Sequence, residues 1–175
     1  MSYLPCELHC HTIHSDGDFT VSELQKAAVD DHLAIIALTD HNTFSGWDEL
    51  DDNIIPAIRG IEWTTYFGHM LVLGANDFVD WRDAQPDNID EKIKQVKAVG
   101  GIVGIAHPYQ LGSPLCTGGR WEFNVRDWRN VDYIEVWHQN LYSAKRENER
   151  ALELWTSLLD KGYKIAATYG REWHR

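Results

Sequence analysis

His9 and His11 stand two residues apart in the β-like run 4–11. On a strand, side chains at that spacing point to one face, so the two imidazoles can grip a single divalent ion, most readily a first-row transition metal. Alone, such a pair is a weak signal. It is followed by Asp16, then by Asp40-His41, Glu62, His69, His107, and finally Glu172 and His174. Imidazoles interleaved with carboxylates make a donor set for metal ions, because an acid adds charge and can bridge two of them. His32 falls in a helical stretch and reads as surface. His138, at the end of a strand-like run, is a candidate for touching substrate, with a surface place or a place behind the metal ligands as the alternatives.

The elements that must position these residues alternate. Residues 4–11 read as a first strand. Thr20 then caps a helix, with Glu23 completing a capping box and Val21, Leu24 and Ala28 following at helical spacing to about residue 33. Residues 34–39 form a continuous apolar run, the pattern of a strand buried on both faces. Runs 54–64 and 70–74 read as further strands. Asn88 is placed to cap a helix carrying Ile89, Ile93 and Val96 on one face, with Gly100-Gly101 as its end. Strand-like runs 102–106 and 133–136 follow. A long helix from near Ser143 carries Ala151, Leu154, Trp155 and Leu158 and stops at Gly162, before a last run at 164–168. This order predicts an α/β fold with a largely parallel sheet, in one domain over residues 1–175. Nearly every candidate ligand falls where a strand-like run ends, the edge on which parallel α/β folds build their sites. Residues 108–130 are long and aperiodic but aromatic, which reads as an ordered flap.

Taken together, His9-Cys10-His11-Thr12 with Ser15-Asp16-Gly17, Thr39-Asp40-His41-Asn42, Gly60-Ile61-Glu62, Gly68-His69 and Ala106-His107-Pro108 resemble the polymerase and histidinol phosphatase (PHP) family. The nearest branch is that of small metal-dependent phosphoesterases and carbaryl-hydrolase-like metallohydrolases. The resemblance implies a distorted (β/α)7 TIM-like barrel holding two or three divalent ions (Zn, Mn or Fe). By position, His9, His11, Glu62 and Glu172 would hold the first ion. Glu62 would bridge to a second, shared with His69 and His107, and Asp16, His41 and His174 would hold a third. Asp40 would orient a ligand histidine through a hydrogen bond. The reaction implied is hydrolysis of a small phosphate ester by a hydroxide held between metal ions, with no side-chain nucleophile. Alternatives are a carboxylic or carbamate ester at the same cluster, or a metal-binding module without catalysis.

Two departures accompany the resemblance. The family's closing Asp-x-His element reads Glu172-Trp173-His174 here, and the extra methylene displaces a carboxylate by about an ångström. The sequence also ends at Arg175, one residue later, so the expectation is a barrel left open at its C-terminal end, a gap covered by a neighbouring chain, or a truncated version of a longer sequence. Arg171, inside the closing motif, is a candidate for binding phosphate through its two-pronged fork, and Arg120 reads as solvated. Trp121, Trp128 and Trp173 are candidates for walling a substrate pocket or for packing. Cys6 and Cys10 read as small buried strand residues, Cys116 as an isolated thiol, and the acidic run 48–52 as a solvated helix end or loop.

The formal charge is −11, with nine histidines counted as neutral. That balance, without a basic stripe, excludes nucleic acid as an expected partner. No segment has the apolar length of a membrane helix, no secretory leader is legible, and three cysteines make no disulfide framework; the expectation is a cytoplasmic protein.

Overall fold

The computed structural model describes residues 4–112, 118–138 and 144–175. Cys116 and Ser143 lie outside them. Seven strands form one sheet in sequence order: β1 (Cys6–Cys10), β2 (Ile35–Leu38), β3 (Ala57–Thr65), β4 (Gly68–Leu73), β5 (Ile102–Ile105), β6 (Tyr133–His138) and β7 (Ala166–Gly170). Among the described residues three α-helices join them: α1 (Val21–Asp30), α2 (Ile89–Ala98) and α3 (Lys145–Asp160). The sheet curls into a nearly closed distorted barrel. Strands β1 to β3 run parallel, as do β5 to β7, but β4 is antiparallel to both its neighbours. The expectation of a largely parallel sheet needs that correction. Only Tyr66 and Phe67 separate β3 from β4, too few residues for a crossover, so the chain can only reverse.

Helix α1 starts as its sequence requires, with the Thr20 hydroxyl accepting from Glu23 N and the Glu23 carboxylate accepting from Thr20 N. Val21, Leu24 and Ala28 bury against β1 and β2. Asn88 occupies the N-cap position of α2, but its side chain makes no capping bond. Its side chain turns back instead, accepting from Gln85 N and donating to Asp83 O. Helix α3 buries Ala151 and Leu158, and Trp155 donates its indole N–H to Ile165 O.

Strands β7 and β1 do not pair along their length. The seam is drawn together at one end, where the segment after β7 crosses to β1. Trp173 N donates to His9 O (3.0 Å) and His11 N donates to Trp173 O (2.9 Å). The Trp173 ring is buried in the core beneath α1. It is packing, not a pocket wall. Trp121 and Trp128 likewise pack on the core of the β3–β6 half. Cys10 is buried as expected, whereas Cys6 is exposed. His32 and Arg120 are exposed, and the acidic run surrounds a short 3-10 turn, Trp47–Glu49.

Candidate metal centre

Every proposed ligand arrives at the C-terminal rim of the parallel strands. His9 lies on β1 and His11 just past it. His41 follows β2 and is bridged to Glu62 on β3. His69 comes from β4, which lies antiparallel beside β3 and so delivers it near the strand's start. His107 follows β5, and Glu172 and His174 follow β7.

The geometry brings all nine residues into one cluster with Glu62 at its centre. Glu62 Oε2 lies 3.2 Å from His9 Nε2, 3.4 Å from His11 Nε2 and 2.9 Å from His41 Nδ1. Glu62 Oε1 lies 2.9 Å from His69 Nδ1 and 3.2 Å from His107 Nε2. Asp16 lies 3.2 Å from His174 Nε2 and 3.5 Å from His41 Nε2. Four overlapping groups have one ligand atom per residue within 4.8 Å of the rest: His9, His11 and Glu62; His9, His107 and Glu172; His41, Glu62 and His69; and His11, Asp16, His41 and His174. The partition therefore differs from the one the resemblance implied. Glu172 is grouped with His9 and His107 rather than with His11, and His11 joins the third set.

The cluster passes a test for cation binding within its own geometry. His9 Nε2, both ring nitrogens of His11 and Glu62 Oε2 are buried and make no hydrogen bond, although some of them lie within 3.4 Å of one another. Buried polar atoms are otherwise paired as a rule. Lone pairs converging without alignment need protons or a cation between them, and mixed imidazole and carboxylate donors suit divalent transition metals.

Electrostatics repeats this. Burial disfavours a charge on His9, yet Glu135 and Glu62 outweigh it and push its pKa well above that of a free imidazole. Burial and the neighbouring His9 drive His11 well below. His41, against burial, is pushed up to about 10 by the Asp16 and Glu62 carboxylates beside it. Glu62, against its own burial, is held well below the carboxylate range by His9 and the other histidines around it. Without metal, imidazolium protons do the neutralising that a cation would do.

Several residues do something other than their sequence position implies. Asp40 reaches no histidine. Its carboxylate accepts from Thr12 N (2.7 Å), Thr12 Oγ1 (2.8 Å) and Ser15 Oγ (2.6 Å), so it holds the turn that presents Asp16. Arg171 faces away from the cluster: its guanidinium pairs with Asp31 and lies 4.0 Å from the Trp173 ring centroid. Alternation explains this, since Glu172 and His174 face inward and their odd-numbered neighbours must face out. His138 is buried rather than on the surface, with Nδ1 3.3 Å from Glu172 Oε2.

Glu135 on β6 is the functional candidate that sequence reasoning missed. One of its oxygens accepts from His9 Nδ1 (2.9 Å) and the other from His107 N (3.0 Å). It fixes the His9 tautomer so that Nε2 faces the cluster. Room for it exists because residue 170 is glycine; a Cβ there would lie 2.2 Å from Glu135 Oε1. The available signal was a carboxylate inside the otherwise apolar run 133–136. His174 is fixed similarly, its Nδ1–H donating to Glu172 O (2.7 Å) so that Nε2 faces Asp16.

Residues 7–103 match the PHP domain family. Two uncharacterized proteins of Methanocaldococcus jannaschii are similar in sequence. MJ1295 is 30% identical over 110 residues, covering 62% of this chain and 48% of that protein. MJ1587 is 29% identical over 153 residues, covering 78% and 85%. The chain thus spans about half the length of the first. Among solved structures, a candidate metal-dependent phosphoesterase from Bifidobacterium adolescentis superposes with a TM-score of 0.65 at 19% identity, over 99% of this chain and 89% of that one. A two-domain Bacteroides vulgatus protein containing a predicted PHP-like metal-dependent phosphoesterase gives 0.69 at 22%, over 98% and 52%. A Chromobacterium violaceum amidohydrolase with bound sulfate and no metal gives 0.62 at 16%, over 97% and 87%. At these identities the structural likeness speaks to the fold.

Proposed function

The chain belongs to the PHP domain family, and on that premise we propose that it is a metal-dependent hydrolase acting on a small phosphate ester. The observation that carries this reading is the set of buried, unpartnered nitrogen and oxygen atoms converging on Glu62. His9, His11, Asp16, His41, Glu62, His69, His107, Glu172 and His174 would hold two or three divalent ions, of Zn, Mn or Fe. Bound there, such ions supply Lewis acidity and lower the pKa of water toward neutrality.

The chain's own residues set the terms. Glu135 and the Glu172 carbonyl hold the Nδ1 protons of His9 and His174, so both rings offer Nε2. Asp40 fixes the Thr12–Ser15 turn and with it Asp16. With Arg171 turned outward, a phosphate would be drawn by the cluster's own positive charge rather than by that arginine.

The relatives described as phosphoesterases favour this reading. The neighbour described as an amidohydrolase favours a second one, hydrolysis of a carboxylic or carbamate ester at the same cluster. Elemental analysis of purified protein, paired with turnover of p-nitrophenyl phosphate and p-nitrophenyl acetate, decides among them. Two or three ions per chain and metal-dependent phosphatase activity are expected. Acetate turnover alone would shift the substrate class. Stoichiometric metal with no turnover across a broad ester panel would leave a binding module, and no bound metal would overturn the assignment.

A further inference from the structure

The outer face of β3 and β4 is covered in an unusual way. A strand that leads into a crossover has a helix packed over it, but β3 returns directly as β4, so no helix follows it here. The outward residues of β3 alternate with the inward Glu62 and are Arg59, Ile61 and Trp63. Two loops cover them instead. One supplies Phe44 and Trp47, and the other supplies Phe78 and Trp81. Their rings pack edge to face, with Phe44 to Trp47 at 4.6 Å, Phe78 to Trp81 at 5.7 Å and Phe44 to Phe78 at 6.0 Å.

Loops bearing rigid rings do not fill the groove as a helix would. They leave a cavity of about 270 Å³ lined by Phe44, Trp47, Ile61, Trp63, Val72 and Phe78. Dry apolar cavities of about 150 Å³ already admit benzene, so this one has room for a fused bicycle or a ring with a short tail. The polar equipment is sparse: the exposed Arg59, Asn76 and Asp77, and the Trp47 indole. The Trp47 indole N–H is used, donating to Gly60 O (2.8 Å). Arg59 is exposed at the opening, and among the described residues no carboxylate lies within ion-pair distance of it. Asp77, also at the mouth, has one oxygen turned onto Phe78 N (2.7 Å). An apolar chamber under one unpaired guanidinium is complementary to an apolar body ending in a single negative charge.

We propose that this cavity, on the opposite side of β3 from the metal cluster, is a second ligand site for a small aromatic carboxylic acid. It stands independently of the hydrolase reading, because none of the proposed metal ligands lines it.

Isothermal titration calorimetry on the full chain, metal-loaded and chelated, tests the proposal with 2-naphthoate and its neutral counterpart 2-naphthamide. One naphthoate per chain is expected, with the amide at least tenfold weaker. Arg59→Ala should erase that preference. Asp77→Asn should tighten the acid severalfold by removing a like charge. Phe78→Ala, a change at an exposed position, should weaken both probes at least fivefold. Metal content and phosphatase activity should be unchanged in all three variants. The proposal is overturned by no saturable binding up to 1 mM, by equal affinity for acid and amide, or by naphthoate binding unaltered in Arg59→Ala and Phe78→Ala. Binding that disappears on chelation would place the acid on the metal centre and overturn it too.

Discussion

The donors of the centre stand on two kinds of backbone. Glu62 and His69 lie in a continuous ladder, opposite Leu71 and Thr64, while His9 lies on β1, whose pairing with β2 is irregular between Glu7 and Cys10. His107 and Glu172 lie just past strand ends with φ of 23° and 50°, in the left-handed region that a residue with a long side chain seldom enters. On the first side, position follows from alternation and the ladder. On the second, the backbone is bent to bring a donor inward, and other contacts must hold it there. For His107 that contact is Glu135 accepting its N–H, and for Glu172 it is the Trp173 pairing with β1. Precision is inherited from the sheet on one side and enforced by local contacts on the other.

The largest effect should come from the strand side. Glu62 touches five histidines and has no exposed surface. Glu62→Gln keeps its shape and removes its charge. At least one ion per chain should be lost, and kcat/KM for p-nitrophenyl phosphate should fall by about a thousandfold or more, roughly 4 kcal/mol of transition-state stabilisation. Metal content by mass spectrometry and steady-state kinetics check both. A variant with full metal and near-normal turnover would remove Glu62 from the centre of the site.

Shortening the two acids compares the regions directly. Glu62→Asp withdraws the carboxylate along a strand that cannot follow it, and about a hundredfold loss in kcat/KM is expected. Glu172→Asp shortens by the same methylene, but aspartate tolerates left-handed φ better than glutamate does. A change under about tenfold is expected there, in either direction. Equal losses in the two variants would mean that the turn is as rigid as the ladder.

How much of this was legible in the sequence follows the same division. The histidines and acids at strand ends were readable because residue type and periodicity act locally. The α1 capping box was readable for the same reason. The reversal into β4 was missed because the Tyr66-Phe67 turn has none of the usual hairpin residues, and Gly68, at φ 126°, comes only after it. Asn88 has the right type for a cap, but the Gln85 and Asp83 backbone outcompetes the helix for its side chain. Arg171 sits inside the closing motif by sequence and outside the site in space, and only strand alternation separates the two. Glu135 could not be assigned from its own run, because its role depends on His9 and His107 from two other strands and on the space left by Gly170.

Glu135 tests whether a donor on the strand side also depends on a support from another strand. Glu135→Gln leaves an acceptor for the His107 N–H but removes the negative partner of His9. Loss of such a partner costs ten- to a hundredfold in metal affinity in comparable sites. That loss is expected here in competition titrations with a chromophoric chelator, with the far-ultraviolet circular dichroism unchanged. Unaltered affinity would mean that His9 needs no orienting acid.

The last effect is on stability rather than turnover and belongs to Glu7, which joins the two sides. Its Oε1 accepts from His9 N (3.1 Å) on β1 and from Arg171 N (3.4 Å) at the turn after β7. Burial raises its pKa from the ordinary 4.5 to about 7. A carboxyl with a raised folded pKa stabilises fully below its unfolded value and loses that contribution as pH rises toward the folded one, because the unfolded chain ionises first. Wild-type stability in chelated protein should therefore fall between about pH 4.5 and 7 relative to Glu7→Gln, then run parallel to it at higher pH. The amide oxygen can still accept both N–H groups. The variant should match wild type at pH 4 and exceed it by about 3 kcal/mol at pH 8, by order of magnitude from the shift. Urea unfolding at the two pH values measures the difference. A difference that is constant with pH would show that the Glu7 carboxyl is not held neutral across the seam, and that the two sides meet there through backbone pairing alone.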